Sequence, residues 1–250
     1  MANKPSKKIG RREVADQLRT QQKRADQRQG AVIVGVCILI AVAIIGFAAF
    51  KPIKEWWDLR AFNDIDMSGI GAPAADVCSK VETKKADGNQ EHVEPGVDVD
   101  YTDAPPAFGK HENTPDTPDR KLYTKDDRPR VEMLVHNLEH GYTILWYDET
   151  IADDDEQMTE LKAIATKLKG NNNPRLKFKA VPWTSKDGKA FKGDNHIALT
   201  HWSKGGKDVD VSQVDKQVGV WQYCTDVSGE ALYKFMQKYD YFDSPEPNGM

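Results

Sequence analysis

The sequence predicts an α/β (or α+β) protein in three stretches: an N-terminal transmembrane helix, a Pro-rich extended region, and a mixed sheet with two helices in β-α-β-β-α order. Three observations lead there. Residues 31–50 read AVIVGVCILIAVAIIGFAAF, with no charge and no strongly polar side chain. Residues 103–129 hold Pro105, Pro106, Pro115, Pro118 and Pro129, a density that excludes helix and leaves loop or polyproline-type backbone. After Arg130, β-rich runs alternate with helical apolar stripes. At 250 residues the chain has room for one soluble domain plus appendages. The element order is thioredoxin-like by topological analogy only, which says nothing about activity.

The apolar run comes first. Twenty residues rising about 1.5 Å each span roughly 30 Å, the thickness of a bilayer's hydrocarbon core. A buried globular helix would carry polar residues on one face, and this run carries none. A cleaved signal peptide is the stronger rival, but its apolar core runs about 7–15 residues. Here the run is longer and follows a thirty-residue polar lead, and Phe50 and Lys51 directly follow the Ala48-Ala49 pair. An uncleaved anchor is the expectation. Lys4, Lys7, Lys8, Arg11, Arg12, Arg19, Lys23, Arg24 and Arg28 precede the span, whereas Lys51, Lys54 and Arg60 follow it. Basic residues resist translocation, so the N-terminus is expected in the cytoplasm and the rest outside the cell membrane. Trp56 and Trp57 suit the outer headgroup layer.

Charge divides along the same line. Residues 1–54 carry eleven Lys/Arg and three Asp/Glu, a net of +8, so a chain total of −4 leaves −12 for residues 55–250. An acidic ectodomain argues against nucleic acid as a partner. The basic N-terminus serves topology and could touch anionic lipid headgroups of the bilayer. Of the three cysteines, Cys37 lies in the span, which leaves Cys78 and Cys224 on the oxidising side with one internal bridge open to them. Closing so long a loop is worth roughly 5 kcal/mol in the chain-entropy model. Without a C-x-x-C pair, thiol–disulfide catalysis is not expected.

Residues 1–30 are polar, with Val14 and Leu18 the only helically spaced apolar pair, so a solvated extension of the span or disorder is expected. Residues 51–74 form a juxtamembrane linker, residues 75–245 the extracytoplasmic domain, and residues 246–250 a loose tail. Val131–Val135 and Tyr142–Tyr147 predict strands. A helix over about Asp153–Lys169 follows, with Leu161, Ile164, Ala165 and Leu168 on one stripe. Its opening acidic run Asp153–Glu156 suits a helix N-terminus, and it lacks the ligand spacing of a calcium loop. Strands Leu176–Trp183 and His196–Trp202 come next. The last helix has Ser228 as N-cap and turns Leu232, Phe235, Met236 and Tyr239 inward.

The densest chemistry is VHNLEHG, residues 135–141. His136 and His140 stand four apart, a spacing that puts two imidazoles on one helical face, and PPAFGKH supplies His111 after a Gly. With Glu139 nearby, the three would suit zinc or copper, for which imidazole is a good ligand. The same letters spell the H-x-x-E-H protease signature. That chemistry needs a long helix, and Gly141 followed by a β-run leaves room for at most one turn. The foremost expectation is a structural polar network that pins the Pro-rich loop to the sheet edge, with Gly109 and Gly141 supplying unusual backbone angles. A metal site comes second and catalysis third. His196 and His201 read as core or surface histidines and His92 as a loop residue. No nucleophile elbow, P-loop or dinucleotide fingerprint is present.

PPAFGKH, Tyr123, VHNLEHGYTILWYD and the late HW, Cys224 and PEP resemble the actinobacterial envelope family catalogued as domain of unknown function number thirty-one-oh-five. The resemblance covers about residues 75–245, and VHNLEHG is its most specific block. It implies an N-terminal anchor, a Pro-Pro loop ending in Gly-x-His, and a His-x-Leu-Glu-His-Gly core. Phe108 stands where the family usually has Ser, so a role for that hydroxyl does not carry over. The family implies location and lineage but no reaction. The resulting expectation is a non-enzymatic accessory or binding protein on the outer membrane face, docked on a larger membrane complex such as a respiratory assembly. The alternatives are a copper or zinc domain at His111, His136, His140 and Glu139, and a metallohydrolase.

Overall fold

The computed structural model describes residues 10–87, 90–170 and 172–249; Lys4, Lys7 and Lys8 lie outside them, as does Met250. The chain forms two compact units, residues 1–57 and 58–250.

Helix α1 runs Arg11–Arg60. It is long and apolar enough to cross a membrane, and none of its side chains is buried. The polar lead therefore continues the helix of the apolar run. Trp56 and Trp57 meet edge to face at 5.3 Å, and Cys37 is a free, exposed thiol. The segment expected to be a linker is divided: from Asp58 onward it belongs to the second unit, where Leu59, Phe62, Met67 and Ile70 pack against the core. Helix α2 (Ala74–Val77) follows.

The second unit is built on a mixed five-stranded sheet. Its strands are β1 (Glu82–Lys85), β4 (Thr143–Tyr147), β5 (Phe178–Pro182), β6 (Ile197–Ser203) and β7 (Val218–Cys224), in spatial order β1-β7-β6-β4-β5. β4 and β5 are parallel, joined by the crossover helix α5 (Asp155–Lys167), and the other pairings are antiparallel. The predicted parallel crossover with an antiparallel neighbour is present. β1 and β7 extend the sheet beyond the expected strands, and β2 (His92–Val93) and β3 (His111–Glu112) form a separate parallel ribbon.

The predicted helix termini have a visible cause. Asp154 accepts hydrogen bonds from the Glu156 and Gln157 amides at 2.9 and 3.1 Å, so the acidic run caps α5. A one-turn helix α4 (Glu149–Ala152) precedes it. Ser228 accepts from the Ala231 amide and starts α6 (Gly229–Lys238). Strand alternation then divides the core. Leu145 and Tyr147 of β4 face α5 and α6, among Leu161, Ile164, Leu232 and Phe235. Ile144 and Trp146 point the other way, among Leu134, Val135, Leu138 and Trp202.

That second layer corrects the sequence expectation. Val131–Val135 is not a strand: Val131–Glu139 is a helix, α3, so helices cover both faces of the sheet. Val131, Leu134, Val135 and Leu138 are its buried apolar stripe, a helical spacing. Gly141 ends it at φ +85. The Gly141 amide donates to the Leu138 carbonyl and the Tyr142 amide to that of Asn137, both at 3.0 Å, which is a Schellman closure. A Cβ at Gly141 would also lie 2.4 Å from the Tyr241 carbonyl oxygen.

The Pro-rich stretch is tethered as expected. Cys78 and Cys224 form a disulfide across 146 residues. Asn137 of α3 pairs with the Asp116 backbone at 3.0 and 2.9 Å. Buried Lys179 of β5 reaches the Asp116 carboxylate at 2.5 Å, and burial holds its ammonium pKa below the ordinary value. Phe108 packs between Trp202 and Trp221. It fits because Gly219 has no side chain: a Cβ there would lie 2.5 Å from the Phe108 ring. Residues 246–249 of the tail are hydrogen-bonded to the domain. The Glu246 amide donates to the Glu139 carbonyl at 2.9 Å, and Lys177 donates to the carbonyls of Pro247 and Gly249.

Candidate metal centre

A helix face and a two-strand ribbon build the centre. On α3, His136 and Glu139 stand three apart and so share one face. On the ribbon, β2 pairs with β3 in parallel with His92 opposite His111. The ribbon lies against α3, so the ring centroids of His136 and His111 are 4.8 Å apart and those of His136 and His92 are 5.1 Å apart. One donor atom from each of His92, His111, His136 and Glu139 falls within 4.8 Å of the others. His111 and Glu139 are fully buried and His136 nearly so, while the His92 side chain is 43% exposed and forms the solvent side.

The orientation of each ring is fixed from behind. The Nδ1 atom of His111 lies 2.8 Å from the Gly109 carbonyl oxygen, and that of His136 lies 2.6 Å from the Glu112 carbonyl oxygen. A carbonyl only accepts, so both Nδ1 atoms carry a proton, and each ring in its neutral form presents an Nε2 lone pair to the interior. Glu139 is held likewise. Its Oε1 accepts from the Gln90 amide at 2.7 Å, Gln90 accepts from Gln217 at 3.0 Å, and Gln217 accepts from the Trp202 indole at 3.0 Å. Three oriented donors in series thus aim one carboxylate.

The consequence is a pair of facing lone pairs. His111 Nε2 and Glu139 Oε2 stand 3.0 Å apart at zero exposure, yet neither atom has a hydrogen-bond partner. Two unpaired acceptors at that distance in a dry pocket repel, and a shared cation between them relieves the repulsion. Burial pushes the Glu139 carboxyl up, but hydrogen bonding and positive charge from His111, then the Gln90 amide, hold its pKa below the usual range; a cation would supply that charge in place of a proton on His111. Burial, with His140 and His111 close by, lowers His136 to about 4, so its imidazole is neutral at physiological pH and available as a ligand.

The centre differs from the expected set in one member. The structure brings His111, His136 and Glu139 of that set together, and the fourth donor beside them is His92, which the sequence places in a charged loop without signal. His140 belongs to a second group, with Glu139 and Glu246. It sits at the C-cap of α3, with Nε2 3.2 Å from that of His136. The structural-network expectation is also met in part, because both Nδ1 atoms and Gln90 do pin loops to the helix. The helix that carries His136 and Glu139 is nine residues rather than one turn, and it ends before His140, its C-cap. Gln90 and Gln217 carried no motif; full burial of a Gln side chain is what marks Gln217. His196 bonds Asp148 at 2.8 Å. His201 is buried with both ring nitrogens near carbonyls, the core one of the two placements left open by the sequence.

No curated protein matches the chain, and no solved structure does either. A protein family does match, over residues 92–249, a stretch that begins at His92 and contains His111, His136 and Glu139. The chain belongs to the family described as "Protein of unknown function (DUF3105)".

Proposed function

We propose that this is a membrane-anchored metal-binding protein whose extracytoplasmic domain holds a divalent ion on His92, His111, His136 and Glu139. One observation carries the proposal: the buried, unpartnered Nε2 of His111 facing the buried, unpartnered Oε2 of Glu139 at 3.0 Å. Three imidazoles and one carboxylate suit zinc(II) or copper(II). A dedicated copper(I) trap would recruit thiolate or thioether sulfur, and the group contains none. The exposed edge of His92 gives the ion a face from which it can exchange or meet a further ligand. The excess of basic residues before the apolar run supports a cytoplasmic N-terminus, and the disulfide supports an oxidising compartment for the domain.

The test is elemental analysis of the full-length chain purified in detergent, stripped with chelator and dialysed against zinc(II) or copper(II). The wild type retains the ion and a His111→Ala/His136→Ala chain does not. Equal metal in both chains, or none in either, overturns the proposal.

A further inference from the structure

On the far side of His136 lies a second set of donors. His140 Nε2 is 3.4 Å from Glu246 Oε2, and donor atoms of Glu139, His140 and Glu246 all fall within 4.8 Å of one another. The C-terminal tail is fastened so as to make this set. The Glu246 amide bonds the Glu139 carbonyl at 2.9 Å, which brings the Glu246 carboxylate back over the end of α3. Lys177 Nζ donates at 2.7 Å to the His140 carbonyl and at 3.1 and 2.7 Å to those of Pro247 and Gly249. Gly249 lies flat on the imidazole: a Cβ there would stand 2.5 Å from His140 Nε2. A segment with no regular structure is thus tied at several points, and the result is one carboxylate beside one imidazole.

The two donor sets share Glu139. Its Oε2 is the fully buried oxygen without a hydrogen-bond partner, and a carboxylate can bridge two cations. They are also linked through His136. With Nδ1 protonated toward Glu112, the His136 Nε2 lone pair can accept from His140 across 3.2 Å. An ion bound to His136 occupies that lone pair, and the contact with His140 is then no longer a hydrogen bond. The His140 Nε2 lone pair can then serve as a ligand beside Glu246 and Glu139. Paired ions bridged by side chains in other proteins stand about 3.5–4 Å apart, a spacing that fits donors of adjacent coordination spheres 3.2 Å apart.

We propose that His140, Glu246 and a bridging Glu139 form a second divalent-cation seat beside the first, so that the loaded domain carries two zinc(II)-class ions. This rests on the metal centre proposed above. The second seat is the weaker one, since it has a single imidazole and a carboxylate whose side chain is 52% exposed.

The experiment is equilibrium dialysis of the chelator-stripped, full-length chain in detergent against buffered free zinc(II), with zinc per chain read by elemental mass spectrometry. The wild type takes up two ions, the second at tenfold or more higher free zinc. His140→Ala and, separately, Glu246→Gln take up one, at the free zinc that fills the tight seat of the wild type. Glu246 is half-exposed, so its variant keeps the fold even if His140→Ala disturbs the end of α3. A wild type that saturates at one ion overturns the second seat and leaves the first standing. So does a Glu246→Gln chain that still binds two, or one whose tight ion is weakened. A wild type that binds no zinc overturns the metal centre itself.

Discussion

Replacing Glu139 by Gln separates a metal centre from a structural ion pair, because the two demand opposite signs. If the pocket is built for a cation, the metal-free protein carries a buried carboxylate oxygen against the lone pair of His111 at 3.0 Å, with no hydrogen bond to either atom. Leaving such groups unsatisfied costs about 1–3 kcal/mol. A Gln at 139 keeps the oxygen that accepts from Gln90 and turns the other position into an N–H that donates to His111. The metal-free chain should then gain about 1 kcal/mol, or about 2–4 °C in Tm for a unit of this size. If instead His111 and Glu139 are a structural ion pair, removing the charge strands an imidazolium and costs about 3–5 kcal/mol, a fall of roughly 10 °C. Zinc supplies the second half of the prediction. At a thousandfold excess over Kd it adds about 4 kcal/mol to the wild type, and most of that gain disappears in Glu139→Gln. Tryptophan fluorescence during heating, with chelator and with zinc, reads both effects. A Glu139→Gln chain that melts well below wild type in chelator, yet still rises with zinc as the wild type does, refutes the reasoning.

Three further outcomes follow from the same structure. Reducing the Cys78–Cys224 bridge, which spans 146 residues, or changing both cysteines to Ser should lower the urea midpoint markedly; the loop-entropy estimate of about 5 kcal/mol is an upper value, and an unchanged midpoint would contradict a tethering role. His136 is lowered to about 4 from an ordinary 6.5, so the unfolded chain takes up its proton first. Metal-free stability should therefore fall as pH drops from about 6.5 through about 4, with zinc affinity falling alongside because the proton competes for Nε2; urea titrations at stepped pH check this, and His136→Gln should flatten the slope. Protease added to intact cells should remove the domain after residue 57, with Cys78 and Cys224 resistant to alkylation until reduced; a protected domain with both thiols reactive would place it in the wrong compartment.

Much of this architecture could be read from local signals. The long apolar helix, the caps at Asp154 and Ser228, and strands β4, β5 and β6 each have a composition or a period that depends on near neighbours alone. The bridge is legible because only two cysteines remain outside the apolar run. Other elements depend on partners remote in sequence. VEMLV is a short apolar run, ambiguous between strand and helix; the deciding signal lies downstream, where Leu138 continues the stripe and Gly141 closes it. β1 is Glu-Thr-Lys-Lys, exposed throughout, and becomes a strand only because β7 offers it an edge. His92 was the least legible. Its strand is two residues long, and it reaches the other candidate donors only through pairing with His111, nineteen positions on. The tail is quieted by Lys177 and the end of α3, partners remote in sequence.

The most direct measurement is the zinc-edge X-ray absorption spectrum of the full-length chain loaded with one equivalent of zinc. The account predicts a shell of nitrogen and oxygen at about 2.0–2.1 Å with the outer scattering of several imidazoles, lost in His111→Ala/His136→Ala. A sulfur shell, or a fully hydrated ion without imidazole scattering, would contradict it.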